Sequence, residues 1–461
     1  MQKYDSQKLE EQMRTHWTKI KLADALKNLR KGKKTFYLLD GPPYVNALPH
    51  VGHIKTTTCK DIWSKLKLMQ GFDSWFQPGF DCHGLPVENM VERDLGIKSK
   101  DEINKMGIEK FDNLCLEKVL DNEQAWIKTY NLLGAWRGFY KPYFTYKSYY
   151  IESAWWTLKK MHENKLLKKG KLAIHWCSHC ETALAGYEVS DSYKNLTDPT
   201  IYVKFAVKGQ EKTFFLVYTT TPWTLPGNVG LIVAPKKEYV KVESEGEFFI
   251  LAKDLVESVF SLAKQKFKII ETFLGKSLEG IEYEPILSIP SQKISHAHKI
   301  HLSIPIMKFK KYKKHETGAD DQDEFGQFVT TSEGTGIVHT APGHGSSDNY
   351  IGRHYKLDAV SPVNEKGQFT EDAGKYQGVF VKTADKQIIN DLRSENKLFY
   401  TGTVNHSYPL CWRCKSPLIF RLSDQWYLSV DPIKEKMIKT NEKVNWMPSF
   451  GQRRFENWLV D

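Results

Sequence analysis

Phe36-Tyr37-Leu38-Leu39-Asp40-Gly41-Pro42-Pro43-Tyr44-Val45-Asn46-Ala47-Leu48-Pro49-His50-Val51-Gly52-His53 carries the chain from an apolar run, through a proline turn, into a stretch of helical spacing. Phe36 to Leu39 read as a buried strand that Asp40-Gly41-Pro42-Pro43 ends in a rigid turn. From His53 to Met69, Ile54, Ile62, Leu66 and Met69 fall near helical spacing, and Gly71 supplies a stop. Trp75-Phe76 forms a second apolar run before Pro78-Gly79, and a helical pattern returns beyond Leu85. Strand, loop and helix, twice over, is the rhythm of an α/β protein with a parallel sheet. Such sheets bind ligands beyond the carboxyl ends of their strands, which is where the Asp40–His53 stretch lies.

A helix N-terminus at that place offers free N–H groups and a favourable dipole to a phosphate. Gly52 permits close approach of a nucleotide to the backbone. Imidazoles at His50 and His53 can donate to one phosphate as its charge develops. A bare His-x-x-His would read as a surface turn or a weak metal site; the preceding strand and Gly-Pro-Pro turn favour the nucleotide.

Upstream, Gln7 to Asn28 reads as one charged helix. Met1-Gln2-Lys3-Tyr4-Asp5 leads into Glu10, Glu11 and Arg14 without the apolar core of a secretory signal. No apolar run approaches the ~20 residues of a membrane helix, so a cytoplasmic location without a membrane partner is expected. At 461 residues the chain is long enough for two cores, and 41% hydrophobic residues with 13 tryptophans argue against disorder. Lys and Arg exceed Asp and Glu by 66 to 55, a formal charge of +11. That modest excess suits a partner made of phosphates, and equally any soluble basic protein.

Near Tyr187 the texture changes. Ile201-Tyr202-Val203, Phe214 to Tyr218, Val229 to Val233 and Phe248 to Leu251 are β-rich runs separated by turns, which predicts a mostly β domain reaching Asn396. Within it, Lys308, Lys310, Lys311, Lys313 and Lys314 precede Asp320, Asp321, Asp323 and Glu324, opposite charge blocks that read as a solvated loop. The expected domains are residues 1–186, 187–396 and 397–461.

Seven cysteines do not make a disulfide framework in so long a chain, and four form the pairs Cys177-Ser178-His179-Cys180 and Cys411-Trp412-Arg413-Cys414. Thiolates two residues apart chelate one tetrahedral ion from a single turn. If the inserted β-rich segment brings its ends together, the pairs close one structural zinc site with no open position. Ordinary reduced thiols, or separate sites completed by His175 or His179, are the alternatives.

Residues 40–53 resemble the first signature motif of the class I aminoacyl-tRNA synthetases. The resemblance implies a Rossmann-like parallel-sheet catalytic domain, incomplete in this chain, interrupted by an inserted, mostly β editing domain. It implies that His50 and His53 bind ATP, brought with Mg2+, and stabilise the transition state of adenylate formation, with Gly41, Pro42 and Gly52 in the ATP site. Pro78-Gly79-Phe80-Asp81-Cys82-His83-Gly84-Leu85-Pro86-Val87-Glu88 resembles the isoleucyl members; the Asp-His-Ala-Gly string of valyl relatives and the Asp-Ala-Phe-Gly string of leucyl ones do not fit. On its own Asp81 is equally a helix cap; by resemblance it anchors the substrate amino group, while Gly41 and Pro42 line the aliphatic pocket. Tyr150-Ile151-Glu152-Ser153-Ala154-Trp155-Trp156 and Glu181-Thr182-Ala183-Leu184 are also similar to family segments, although the tryptophan pair by itself reads as core.

Thr219-Thr220-Thr221-Pro222-Trp223-Thr224-Leu225-Pro226-Gly227-Asn228 and Gly334-Thr335-Gly336-Ile337-Val338-His339-Thr340-Ala341-Pro342-Gly343-His344-Gly345, with Asp348 beyond, resemble the editing domain of the isoleucyl, valyl and leucyl enzymes. Alone, the threonines are compatible with a simple strand end. Such a second site has a physical reason: one methylene separates Ile from Val by roughly 1–3 kcal/mol, a figure established on this very family. By resemblance Asp348 holds the misacylated amino group, and His339 helps exclude isoleucine. Thr219, Thr220, Thr221 and Asn228 line the pocket and position the terminal adenosine or a water. His344 is a rim candidate, or a plain loop histidine.

The expected activity is ATP-dependent ligation of L-isoleucine to tRNA-Ile, with hydrolysis of Val-tRNA-Ile, by a monomer. The chain is expected to be an N-terminal portion, since no Lys-Met-Ser-Lys-Ser loop or anticodon-binding domain follows. The alternatives are a valyl-type synthetase, a stand-alone Val-tRNA-Ile deacylase and a non-catalytic zinc-containing RNA-binding module.

Overall fold

In a computed structural model of the chain, residues 4–97, 99–134, 142–190, 192–294, 297–304 and 328–460 are described. The charge blocks at Lys308 to Glu324 lie outside the described residues. The chain divides into two compact units, Met1–Lys165 and Leu166–Asp461. The division falls ahead of the 186/187 boundary expected from sequence. No described helix is long and apolar enough to cross a membrane.

The first unit opens with two helices where one was expected, α1 (Ser6–Lys19) and α2 (Leu22–Arg30). Lys21 stands between them in the left-handed region at φ 47°, which interrupts the helical ladder. Strand β1 (Thr35–Leu39), helix α3 (Val51–Met69) and strand β2 (Asp73–Gln77) follow. β1 and β2 pair in parallel, from Thr35↔Asp73 to Leu39↔Gln77. β1 is not the buried strand expected: Phe36 and Leu38 are half-buried, while Tyr37 and Leu39 are exposed.

The periodic residues Ile62, Leu66 and Met69 of α3 also face outward, and Thr57, Asp61, Ser64 and Leu68 are buried instead. The cause is close packing on β2, where the Ser64 and Ser74 hydroxyls stand 3.0 Å apart and Ser74 donates to the Ser64 carbonyl at 2.9 Å. Small residues permit that approach and bulky ones are turned away.

A short parallel pair, β3 (Gly79–Phe80) with β4 (Tyr143–Phe144), and helices α4 (Leu85–Leu95), α5 (Lys100–Met106), α6 (Ile108–Leu132) and α7 (Ser148–Glu163) complete this unit. Val45, Phe80, Val87, Val119, Trp126 and Tyr130 form one core cluster beneath the β1–α3 loop. α7 buries no residue, and Trp155 and Trp156 are 68% and 62% exposed, so the tryptophan pair is surface and not core.

The second unit begins with β5 (Leu167–Cys177), β6 (Thr182–Leu184), the one-turn helix α8 (Gly186–Val189) and β7 (Tyr193–Ala206). It continues with β8 (Thr213–Thr219), β9 (Gly230–Val233), β10 (Glu238–Ser244), β11 (Glu247–Ala252), α9 (Val256–Ala263) and β12 (Lys268–Leu274). Then come β13 (Lys299–Leu302), β14 (Ile337–Thr340), α10 (Ser346–Tyr355), α11 (Val381–Ser394), β15 (Leu398–Pro409) and β16 (Ile419–Leu428). A six-stranded sheet runs β12-β10-β11-β8-β7-β15, beside three-stranded sheets β13-β9-β14 and β16-β5-β6. β7 and β15 pair antiparallel as far as Pro409↔Tyr193, so the β-rich sheet extends beyond Asn396. Its continuous core includes Phe205, Phe215, Tyr239, Phe249 and Phe260. The neighbours of β7 and of β10 are all antiparallel, and from Thr200 to Phe205 β7 is buried without alternation, as its apolar run Ile201-Tyr202-Val203 requires.

Candidate active sites and metal centre

In the first unit, backbone pairing brings the β1–α3 loop to Asp81. The Asp81 N–H donates to the Pro43 carbonyl and the Val45 N–H to the Asp81 carbonyl, both at 2.9 Å. Helix α6 pins the loop from below: Asn122 Nδ2 donates to the Val45 carbonyl at 2.9 Å and Trp126 Nε1 to that of Ala47 at 2.7 Å. Neither was found from sequence, because both lie far down the chain on a helix with no motif.

His50 is the N-cap of α3. Its Nδ1 accepts the Gly52 N–H at 3.1 Å, and His53 Nδ1 accepts the His50 N–H at 3.3 Å. With Nδ1 occupied as an acceptor, each neutral ring carries its proton on Nε2 and can offer it to an anion. Burial, and next the neighbouring His50, lower the His53 pKa below its ordinary 6.5 and favour that neutral form. The two ring centroids are 3.8 Å apart, and Trp126 holds that of His53 at 4.7 Å. Gly52 has a role beyond ligand approach: a Cβ there would meet His50 Cε1 at 2.8 Å and push the capping ring aside.

Asp81 is not the cap of α4, which begins at Gly84 without a side-chain bond. Its Oδ1 lies 3.4 Å from the Thr145 hydroxyl, which also takes the Cys82 N–H at 2.9 Å. Gly41, Pro42, Gly52, His50, His53 and Asp81 thus belong to one loop system at the strand ends. Lys60 of α3 ties the buried Asp40 at the head of that loop, Nζ to Oδ1 2.6 Å.

In the second unit, Thr219, Thr220, Thr221, His339, His344 and Asp348 all line one cleft of about 360 Å3. The threonines leave the end of β8 and enter a 3-10 turn, Pro222–Gly227. His339 comes from β14, and Asp348 from the first turn of α10. Burial pushes the His339 and His344 pKa values down to about 4 and that of Asp348 up to about 6. Asn228 does not line the cleft. It is fully buried behind His339, its Nδ2 3.4 Å from the ring Nδ1. His344 Nδ1 lies 3.1 Å from the Phe420 carbonyl, and the ring stands edge-on to Trp223.

Residues without a motif hold the threonine turn. Asp385 of α11 accepts the Trp223 N–H at 2.8 Å, Gln292 Nε2 donates to the Leu225 carbonyl at 2.6 Å, and Ser291 donates to that of Pro226 at 2.8 Å. Sequence carries no signal for them, since Ser291 and Gln292 precede Lys293 and Asp385 stands between Ala384 and Lys386 in a polar stretch.

The two cysteine pairs meet. Cys177 and Cys180 flank the β5–β6 turn, Cys411 and Cys414 the β15–β16 turn, and the four sulfurs lie within 4.8 Å of one another. Four ligands at about 2.3 Å around a tetrahedral zinc stand about 3.8 Å apart, so the set fits one ion held by sulfur alone. Cys177 Sγ and Cys414 Sγ are 3.4 Å apart. Hydrogen bonds within the cluster lower the pKa values of Cys411 and Cys414 and raise those of Cys177 and Cys180, so the four thiols share their protons as one coupled set. His175 packs on Phe420, and neither it nor His179 belongs to the cluster.

The family profile described as tRNA synthetases class I (I, L, M and V) matches residues 12–461. Isoleucine–tRNA ligases of Pyrococcus abyssi and Pyrococcus horikoshii are 43% and 44% identical over 471 residues, covering 99% of this chain and 42% of each relative. That of Methanothermobacter thermautotrophicus is 41% identical over 458 residues, covering 99% of this chain and 41% of the relative. The chain therefore spans about 42% of the length of the curated relatives it matches. A match to the profile over nearly every residue, on a fold whose first unit carries the signature loop at the ends of parallel strands, places the chain in the class I tRNA synthetases of the isoleucine, leucine, methionine and valine type.

Proposed function

We propose that the protein to which this chain belongs is an isoleucine–tRNA ligase, acting in the cytoplasm, with the first unit contributing to amino-acid activation and the β-rich insertion to editing. The observation that carries it is the reciprocal His50–His53 cap, which leaves both Nε2–H groups for a phosphate on the loop that pairs with Asp81. In this reading the isoleucine carboxylate attacks the α-phosphorus of ATP, the bond to the leaving pyrophosphate breaks, and an aminoacyl adenylate forms. The terminal hydroxyl of tRNA-Ile then attacks the carbonyl and AMP departs. Charge on the α-phosphate receives the two imidazole donors, and the substrate ammonium meets the Asp81 carboxylate. No protein nucleophile is needed, so catalysis is positioning and charge stabilisation, with Mg2+ accompanying ATP. Cys177, Cys180, Cys411 and Cys414 would hold a structural zinc, which through four sulfur ligands would supply rigidity rather than Lewis-acid chemistry.

ATP–pyrophosphate exchange in the full-length protein tests the assignment. Isoleucine is expected to support faster exchange than valine, and the reverse order sinks it.

The second cleft favours an additional activity, hydrolysis of Val-tRNA-Ile. Threonine hydroxyls to orient a water, and a carboxylate to hold the free amino group, face one cavity. Incubating this chain with Val-tRNA-Ile decides the matter: hydrolysis no faster than in Asp348→Ala removes the reading.

A further inference from the structure

We propose that Tyr283, acting through Asn228, is a positioning residue that holds His339 in a single tautomer and orientation and so sets which amino-acid side chain the cleft accepts; this rests on the editing reading above. Tyr283 lies between β12 and β13 and does not line the cleft.

The proton directions follow from the partners. An amide nitrogen only donates, so Asn228 Nδ2, 3.4 Å from His339 Nδ1, makes that ring nitrogen an acceptor and leaves the proton of the neutral ring on Nε2. That Nε2–H points to the Thr224 hydroxyl at 2.8 Å, which donates in turn to the Thr221 carbonyl at 2.8 Å and has the Thr221 hydroxyl 3.3 Å away. The same amide nitrogen donates to the Gly230 carbonyl at 3.0 Å, which fixes which end of the amide is nitrogen. Asn228 Oδ1 is thereby left to accept from the Tyr283 hydroxyl at 2.7 Å. Tyr283 itself is clamped, its ring against Phe205 and His298 and its N–H on the His298 carbonyl at 3.0 Å. Burial raises the Tyr283 pKa well above 10, so the hydroxyl donates and does not ionise.

Each link permits only one direction, from Tyr283 through Asn228 and His339 to Thr224 and the Thr221 carbonyl. Both nitrogens of His339 are consumed in it. The ring therefore has no lone pair to take a proton from water and no N–H to give to substrate. What it presents to the cleft is a fixed wall, and a fixed wall is what separates side chains differing by one methylene. Loss of the Tyr283 hydroxyl frees the Asn228 amide to turn, and with it the imidazole.

The test uses Tyr283→Phe in the whole chain, with two readouts. The first is the ratio of initial hydrolysis rates of Val-tRNA-Ile and Ile-tRNA-Ile, expected to fall about tenfold, the lower end of what one methylene commands. The second is nitrogen-15 NMR of labelled histidine, with His339 assigned by its loss in His339→Gln. The unsubstituted chain is expected to show protonated Nε2 and bare Nδ1, and Tyr283→Phe a mixture of tautomers. An Nδ1–H tautomer in the unsubstituted chain overturns the proposal even if the variant does not fold. An unchanged rate ratio with an unchanged tautomer in the variant overturns it as well. If the chain hydrolyses neither ester, the editing reading fails, while the tautomer measurement still judges the relay on its own.

Discussion

Asp348, in the first turn of helix α10, has its Oδ1 3.1 Å from the Ala341 N–H, yet burial outweighs that bond and raises its pKa to about 6. To hold an ammonium group it must be ionised. Hydrolysis of Val-tRNA-Ile, followed as kcat/KM, is therefore expected to fall about tenfold per pH unit below about 6, and to fall again where the substrate amino group loses its own proton, near about 8. A flat profile from pH 5 to 8 would exclude Asp348 as the amine anchor. Asp385 behaves differently, because burial raises its pKa to about 7 while its ligand is the Trp223 N–H at 2.8 Å. Between about pH 4 and 7 the folded chain keeps a proton there that the unfolded chain has lost, so this group's contribution to stability declines as pH rises through that window. Asp385→Asn is expected to flatten that slope in urea titrations. Asp385→Ala is expected to cost about 1–3 kcal/mol near pH 4, by leaving the Trp223 N–H buried and unpaired, and less as pH rises through that window.

At the scale of the element, the signature loop and its helix were legible because their cues are local: a strand, a Gly-Pro-Pro turn, and histidines three residues apart. Burial was not. Periodicity in α3 and the apolar run of β1 identify apolar residues, but whether anything covers them is decided by other elements, and Ile62, Leu66 and Trp155 are all exposed. Asn228 was misplaced for a related reason. It follows the threonines in sequence, but the 3-10 turn reverses the chain and delivers it to the start of β9, behind His339. At Gly336, just ahead of β14, the neighbour is β11. Gly336 sits at φ +71° with the position of a Cβ 2.3 Å from that of Ala252. Gly336→Ala combines left-handed strain with overpacking and is expected to destabilise the second unit by about 2–4 kcal/mol. Denaturant unfolding checks this, and a loss below about 0.5 kcal/mol would mean that the two strands separate easily.

For the molecule as a whole, the connection that sequence motivated but could not supply is the meeting of the two cysteine pairs across 237 positions. Strand pairing explains it. β5 runs into the first pair and pairs with β16, which leaves the second, from Leu428↔Leu167 to Ile419↔Trp176. β7 and β15 pair in the same manner where the β-rich segment departs and returns. The sulfurs thus sit at the crossing of two antiparallel ribbons, joining the small sheet to the root of the large one. A metal there restrains a junction that hydrogen bonds alone leave free to fray, without being needed for the large core about Phe205 and Phe249. One zinc per chain is expected by atomic absorption. Its removal by a chelator, or Cys414→Ser, is expected to lower the thermal midpoint by about 10 °C while strand circular dichroism is retained at 25 °C, on the order of 3–5 kcal/mol for a unit of this size. Complete loss of strand signal would make the ion a condition of folding; a metal-free chain with an unshifted midpoint would reduce the cluster to four ordinary thiols.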